Sequence, residues 1–103
     1  MAKTVLIDAD KARNLKFSSN QMIELEDQLG RSVMALDEGM RFADLRTMIH
    51  VGLRWEDKDL TLEQTGDIMD AVIEKHGFEE LSKKVGEAVR FAFGGKAQPP
   101  SKN

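Results

Sequence analysis

The sequence predicts a mainly α-helical fold, a small bundle of roughly four to five helices with a short N-terminal β-hairpin and a disordered C-terminal tail. Three observations carry this prediction. Apolar residues recur every three or four positions through most of residues 19–93, the spacing of one helix face. Two Ser/Thr-x-x-Gln boxes, at Ser18 and Thr61, mark helix starts. Ahead of both, Thr4-Val5-Leu6-Ile7 is an apolar, β-branched run leading into turn-type residues, the pattern of a strand entering a reversal.

The hairpin is predicted over about 4–17, with Asp8-Ala9-Asp10-Lys11 as its turn and Leu15-Lys16-Phe17 resuming the extended alternation. An isolated hairpin is marginal in water, so this one must lean on a helix or on another subunit. Ser18 and Gln21 then open a helix with Met22, Ile23, Leu25 and Leu29 on one side, which Gly30 ends as a left-handed cap. A second, shorter helix is predicted over 33–38 and closed by Gly39. A third, over 43–55, carries Leu45, Met48, Ile49 and Leu53 as a core stripe. Gly52 lies inside it. A mid-helix glycine costs about 1 kcal/mol against alanine, which predicts a close helix–helix approach at that point.

Glu56-Asp57-Lys58-Asp59 forms the next loop, and Thr61 with Gln64 opens a helix whose buried face is Leu62, Thr65, Ile68, Met69, Val72 and Ile73. His76-Gly77 ends it. The last helix, over 78–93, is apolar at Leu81, Val85, Ala88, Val89, Ala92 and Phe93, and Gly94-Gly95 stops it. One domain over 1–95 is therefore expected, with 96–103 as a tail that lacks the residues to pack.

Composition narrows the function. With no cysteine, disulfides, thiolate metal sites and cysteine nucleophiles are excluded. No stretch approaches the roughly 18–20 apolar residues of a membrane span, and the Val5-Leu6-Ile7 run is too short for a secretory signal, so a cytoplasmic location is expected. Residues 56–74 hold seven acidic side chains against Lys58 alone, a local balance of −6 within an overall −3. Such a face repels phosphate backbones, so neither nucleic acid nor membrane is an expected partner.

Each catalytic or metal-binding motif that the sequence suggests is incomplete. Asp57, Asp59 and Thr61 match the first alternating ligands of a calcium loop, but Leu62 stands where the turn glycine belongs and Ile68 where the bidentate glutamate belongs. His50 and His76 lie on different helices with no third ligand in register; His76 is expected to interact with the negative end of its helix, and His50 to be half exposed. No serine sits in a nucleophile elbow, and Gly94-Gly95-Lys96 lacks the rest of a phosphate loop. The expectation is a non-enzymatic protein with no cofactor and no metal.

Methionine-rich helix faces serve either as core or as adaptable partner surfaces, and Met22, Met34, Met40, Met48 and Met69 fit both. The residues singled out as contact or core positions are Met48, Val51, Trp55, Met69 and Val72, on the helices over 43–55 and 62–76. Periodicity does not separate the two roles.

Several segments in order carry a further signal. These are the strand-turn-strand opening, Leu25-Glu26 leading to Leu29-Gly30, Ser32 starting a short helix, and Phe42 with Leu45-Arg46. Gly52-Leu53-Arg54 and Glu56-Asp57 then precede Leu60-Thr61, Glu63 and Gly66. Over roughly residues 4–93 this order resembles the tail assembly chaperones of long-tailed bacteriophages and prophages, including the related gene-transfer-agent proteins. The resemblance implies a protein that binds the long helical tape-measure protein, keeps its apolar segments soluble, helps recruit tail-tube subunits, and is absent from the mature virion. A homo-oligomer is compatible with it. The competing expectation is a small helix-turn-helix regulator of DNA, against which the acidic character of residues 62–76 already argues.

Overall fold

The computed structural model describes residues 4–33 and 40–94. Among them the chain runs β1 (Thr4–Asp8), β2 (Ala12–Lys16), α1 (Ser19–Leu29), α2 (Phe42–Leu53), α3 (Leu62–His76) and α4 (Phe78–Ala92). The mainly helical architecture behind an N-terminal hairpin is the one the periodicity predicts. The helix expected over 33–38, with Met34 in it, and the tail over 96–103 lie outside the described residues, apart from Val33, which is buried.

In the antiparallel hairpin Val5 stands opposite Leu15 and Ile7 opposite Arg13. Side chains alternate across a strand, so these four are buried along with Phe17, while Thr4, Leu6 and Asp8 face outward. The buried face rests on α2 and α4, which gives the hairpin its support within the monomer. A Cβ at Gly52 would sit 2.8 Å from Phe17 Cζ and 2.9 Å from Leu15 Cδ2. The close approach at this glycine is therefore to the hairpin and not, as its place in a helix had implied, to a neighbouring helix.

The helix expected over 43–55 starts one residue earlier and stops two sooner. At its start the Asp44 carboxylate accepts the Arg41 backbone N–H at 3.0 Å, satisfying a donor that has no partner within the helix. Asp44 is buried and also receives Arg31 at 2.6 Å and Arg41 Nη2 at 3.0 Å. Its carboxyl is held at about 2, first by hydrogen bonds from Arg41. At the other end the Leu53 carbonyl accepts from both Glu56 and Asp57 N–H, which tightens the chain into a turn and leaves Trp55 outside the helix.

Trp55 and Glu56 instead secure the hairpin. The Trp55 indole N–H donates to the Asn14 carbonyl at 2.8 Å, and Glu56 Oε1 accepts the Asn14 N–H at 2.9 Å. Both groups on that side of β2 are thus satisfied by side chains, which closes the strand edge at its centre. Arg13, buried beneath the turn, donates to Asp10 at 2.8 and 2.9 Å and to Asp57 at 3.3 Å. It ties the hairpin to the α2–α3 loop and holds the Asp10 carboxyl at about 2.

The Thr61–Gln64 box forms in full, with Gln64 N–H donating to Thr61 Oγ1 at 3.0 Å and Thr61 N–H to Gln64 Oε1 at 2.9 Å. At Ser18 the Gln21 side chain accepts the backbone N–H at 3.0 Å. Gly30 and Gly77, both at positive φ, end α1 and α3. The core between the helices and the hairpin centres on Leu25, Leu45, Ile49, Leu53, Leu81 and Val85, each almost wholly buried.

Candidate partner-binding groove

The 3.6-residue period divides α3 into three stripes. Thr65, Ile68 and Val72 point into the core and are buried. Beside them run Leu62, Gly66, Met69 and Ile73, and beyond those Glu63, Asp67, Asp70 and Glu74, all four exposed. None of these four acids forms an ion pair with another described residue. Like charges three or four residues apart on a helix are destabilising by about 0.2–0.5 kcal/mol per pair, which opposes the stabilisation that Glu63 gives in the first turn of α3.

Along the middle stripe lies a groove of about 470 Å³, walled by Phe42, Ala43 and Arg46 of α2 and by Gly66, Asp67, Met69 and Asp70 of α3. Gly66 keeps it open, since a Cβ there would meet only Arg46 Cδ, at 4.0 Å. No backbone contact requires this glycine; its effect is the empty space above it. Arg46 Nε is buried beside the groove without a hydrogen-bond partner among the described residues. At one end Phe42, 63% exposed, packs against Phe78, 44% exposed, with ring centroids 5.4 Å apart at 57°. Exposed apolar surface beside a concavity is the kind of place that interaction sites use.

The residues singled out from sequence are placed differently from one another. Met48, Val51 and Val72 are between 1% and 5% exposed and belong to the monomer's core. Met69 is equally buried yet contributes to the groove floor. Trp55 is 37% exposed, but its N–H is given to Asn14 and Lys16 Nζ lies 5.0 Å from its ring centroid, so it serves the hairpin. What periodicity passed over is the aromatic pair. Phe42 and Phe78 are first-turn residues of their helices. Cα–Cβ bonds tilt toward a helix N-terminus, so first-turn side chains reach past the body of the bundle. An aromatic in that position, immediately after a cap, is the signal that could have exposed the site.

Both histidines have structural partners. His76 stands in the last turn of α3, at the helix end expected for it, and its Nε2 also lies 3.0 Å from Asp8 Oδ2, a β1 carboxylate. That contact, with Lys75 behind it, lowers the Asp8 pKa. His50 is half-buried and donates from Nε2 to the Leu60 carbonyl at 2.7 Å. Another cavity, of about 310 Å³, is lined by Asp10, Arg13, Asp57, Asp59 and Asp67 among others; Arg13 already engages two of these carboxylates. No three His, Cys, Asp or Glu side chains converge among the described residues. No helix among them is long and apolar enough to cross a membrane. No protein-family profile, curated protein or solved structure matches this chain.

Proposed function

We propose that this protein is a non-enzymatic tail assembly chaperone of a long-tailed bacteriophage or prophage, acting in the host cytoplasm and absent from the mature virion. In this reading it binds apolar helical segments of the tape-measure protein and brings tail-tube subunits to them. The observation that supports it is the groove between α2 and α3, open above Gly66 and flanked by the exposed Phe42–Phe78 pair. An amphipathic helix laying its apolar edge into such a groove is a recurrent mode of recognition. The charged outer face of the chaperone then keeps the pair in solution. A helix-turn-helix role fits less well, because the exposed side of α3 presents Glu63, Asp67, Asp70 and Glu74 where a recognition helix needs donors to base edges and phosphates.

Co-expression with a tape-measure fragment tests this directly. The client is expected to move from the insoluble to the soluble fraction and to co-purify with the chaperone. A client that remains insoluble, with no complex recovered, refutes the chaperone reading.

A further inference from the structure

The two walls of the groove differ in charge. On the α3 side Asp67 and Asp70 line it, continued at either end by Glu63 and Glu74, so that one acid faces outward per turn. These four positions span twelve residues, 63–74, about 16 Å of helix or three turns. The α2 side carries Arg46, whose buried Nε has no acceptor among the described residues. The floor is apolar, from Ala43 and Met69, with Phe42 at the lip.

Resting on the reading that the groove takes a helical client, we propose that this client is a basic amphipathic helix of about three turns. It sets its apolar edge between α2 and α3 and carries one Lys or Arg per turn on the flank facing Glu63, Asp67, Asp70 and Glu74. The opposite flank lies against the side of the groove that carries Arg46. Charge complementarity thereby fixes which way the helix lies as well as which helix is chosen. Among the described residues, no helix of a second copy of this chain supplies such a flank. On α4, the described helix richest in cations, Lys83 and Arg90 are interrupted by Glu87 on the same face, and α1 contains no basic residue.

Three labelled peptides of about eighteen residues, with one shared apolar stripe and a flank of Lys, Gln or Glu, distinguish the possibilities when titrated against the full chain by fluorescence anisotropy. The Lys peptide is expected to bind about tenfold more tightly than the Gln peptide at low salt, and the Glu peptide most weakly. This preference shrinks as salt rises from about 0.05 to about 0.5 M. In Asp67→Asn/Asp70→Asn it falls below about threefold with Gln-peptide binding unchanged. In Gly66→Leu, which fills the groove, all binding is lost while the circular dichroism spectrum is retained. Equal binding of the three peptides overturns the charge inference and leaves the helical-client reading standing. Lys-peptide binding that survives in Gly66→Leu places the attraction elsewhere and overturns the site. No binding of any peptide overturns both.

Discussion

Gly52→Ala and Gly66→Ala make the same chemical change in the interior of two helices, and opposite outcomes are predicted. Alanine is favoured over glycine in a helix by about 0.8–1 kcal/mol. At Gly66 the new methyl meets nothing nearer than Arg46 Cδ at 4.0 Å, so most of that gain is realised. At Gly52 the methyl would stand 2.8 Å from Phe17 Cζ and 2.9 Å from Leu15 Cδ2, short of van der Waals separation by roughly 0.7 Å. Phe17 is 1% exposed and Leu15 fully buried, so neither yields without shifting the hairpin on α2. Overpacking of this kind costs about 1–3 kcal/mol, which outweighs the propensity gain. Gly52→Ala is therefore expected to lose up to about 2 kcal/mol and Gly66→Ala to gain about 0.5–1. Urea unfolding followed by far-ultraviolet circular dichroism and Trp55 fluorescence reads both. A Gly52→Ala protein that gains as much stability as Gly66→Ala refutes the seating of Leu15 and Phe17 against α2.

Further outcomes follow from individual contacts. Thr61→Ala removes the acceptor for the Gln64 N–H and is expected to cost about 1 kcal/mol in urea unfolding. Trp55→Phe keeps a ring but loses the bond to the Asn14 carbonyl, with an expected cost of about 0.5–1.5 kcal/mol and faster amide exchange in β2. Asp10 and Asp44, at about 2 when folded against 3.8 otherwise, contribute stability that is fully present above about pH 4 and lost as pH falls toward 2. Asp44→Asn should flatten that acid limb, and an unchanged limb would contradict the role given to Arg41 and Arg31. Phe42→Ser is expected to weaken client binding with little change in unfolding midpoint, because the ring is mostly exposed.

The parts of this fold written in local chemistry were readable in the sequence. Thr61 and Gln64 sit at the spacing a cap requires, Gly30 and Gly77 at the ends of apolar periods, and Leu45, Ile49 and Leu53 on one face of one helix. Contacts that join distant segments were not. Nothing beside Gly52 names Phe17 as its neighbour, and nothing beside His76 names Asp8. Arg41 is not a residue that caps helices, so nothing local marks it as the residue before α2, which starts one position ahead of the expected one; the Asp44 carboxylate receives both its backbone N–H and its guanidinium. The groove is the instructive case. Periodicity finds the stripe that points inward, which is why Met48, Val51 and Val72 were singled out and prove to be core. The open surface is made by their neighbours, Gly66, whose contribution is a missing side chain, and Phe42 and Phe78, which reach beyond the ends of their helices.

The claim on which the functional account depends is that the space between α2 and α3 is where a client helix rests. Titrating the isotope-labelled chain with a tape-measure fragment, and following amide shifts by nuclear magnetic resonance, tests it residue by residue. The largest changes are expected at Ala43, Arg46, Gly66, Asp67 and Asp70, and they are expected to vanish in Gly66→Leu. Changes confined to the hairpin and α1, or identical changes in Gly66→Leu, would contradict it.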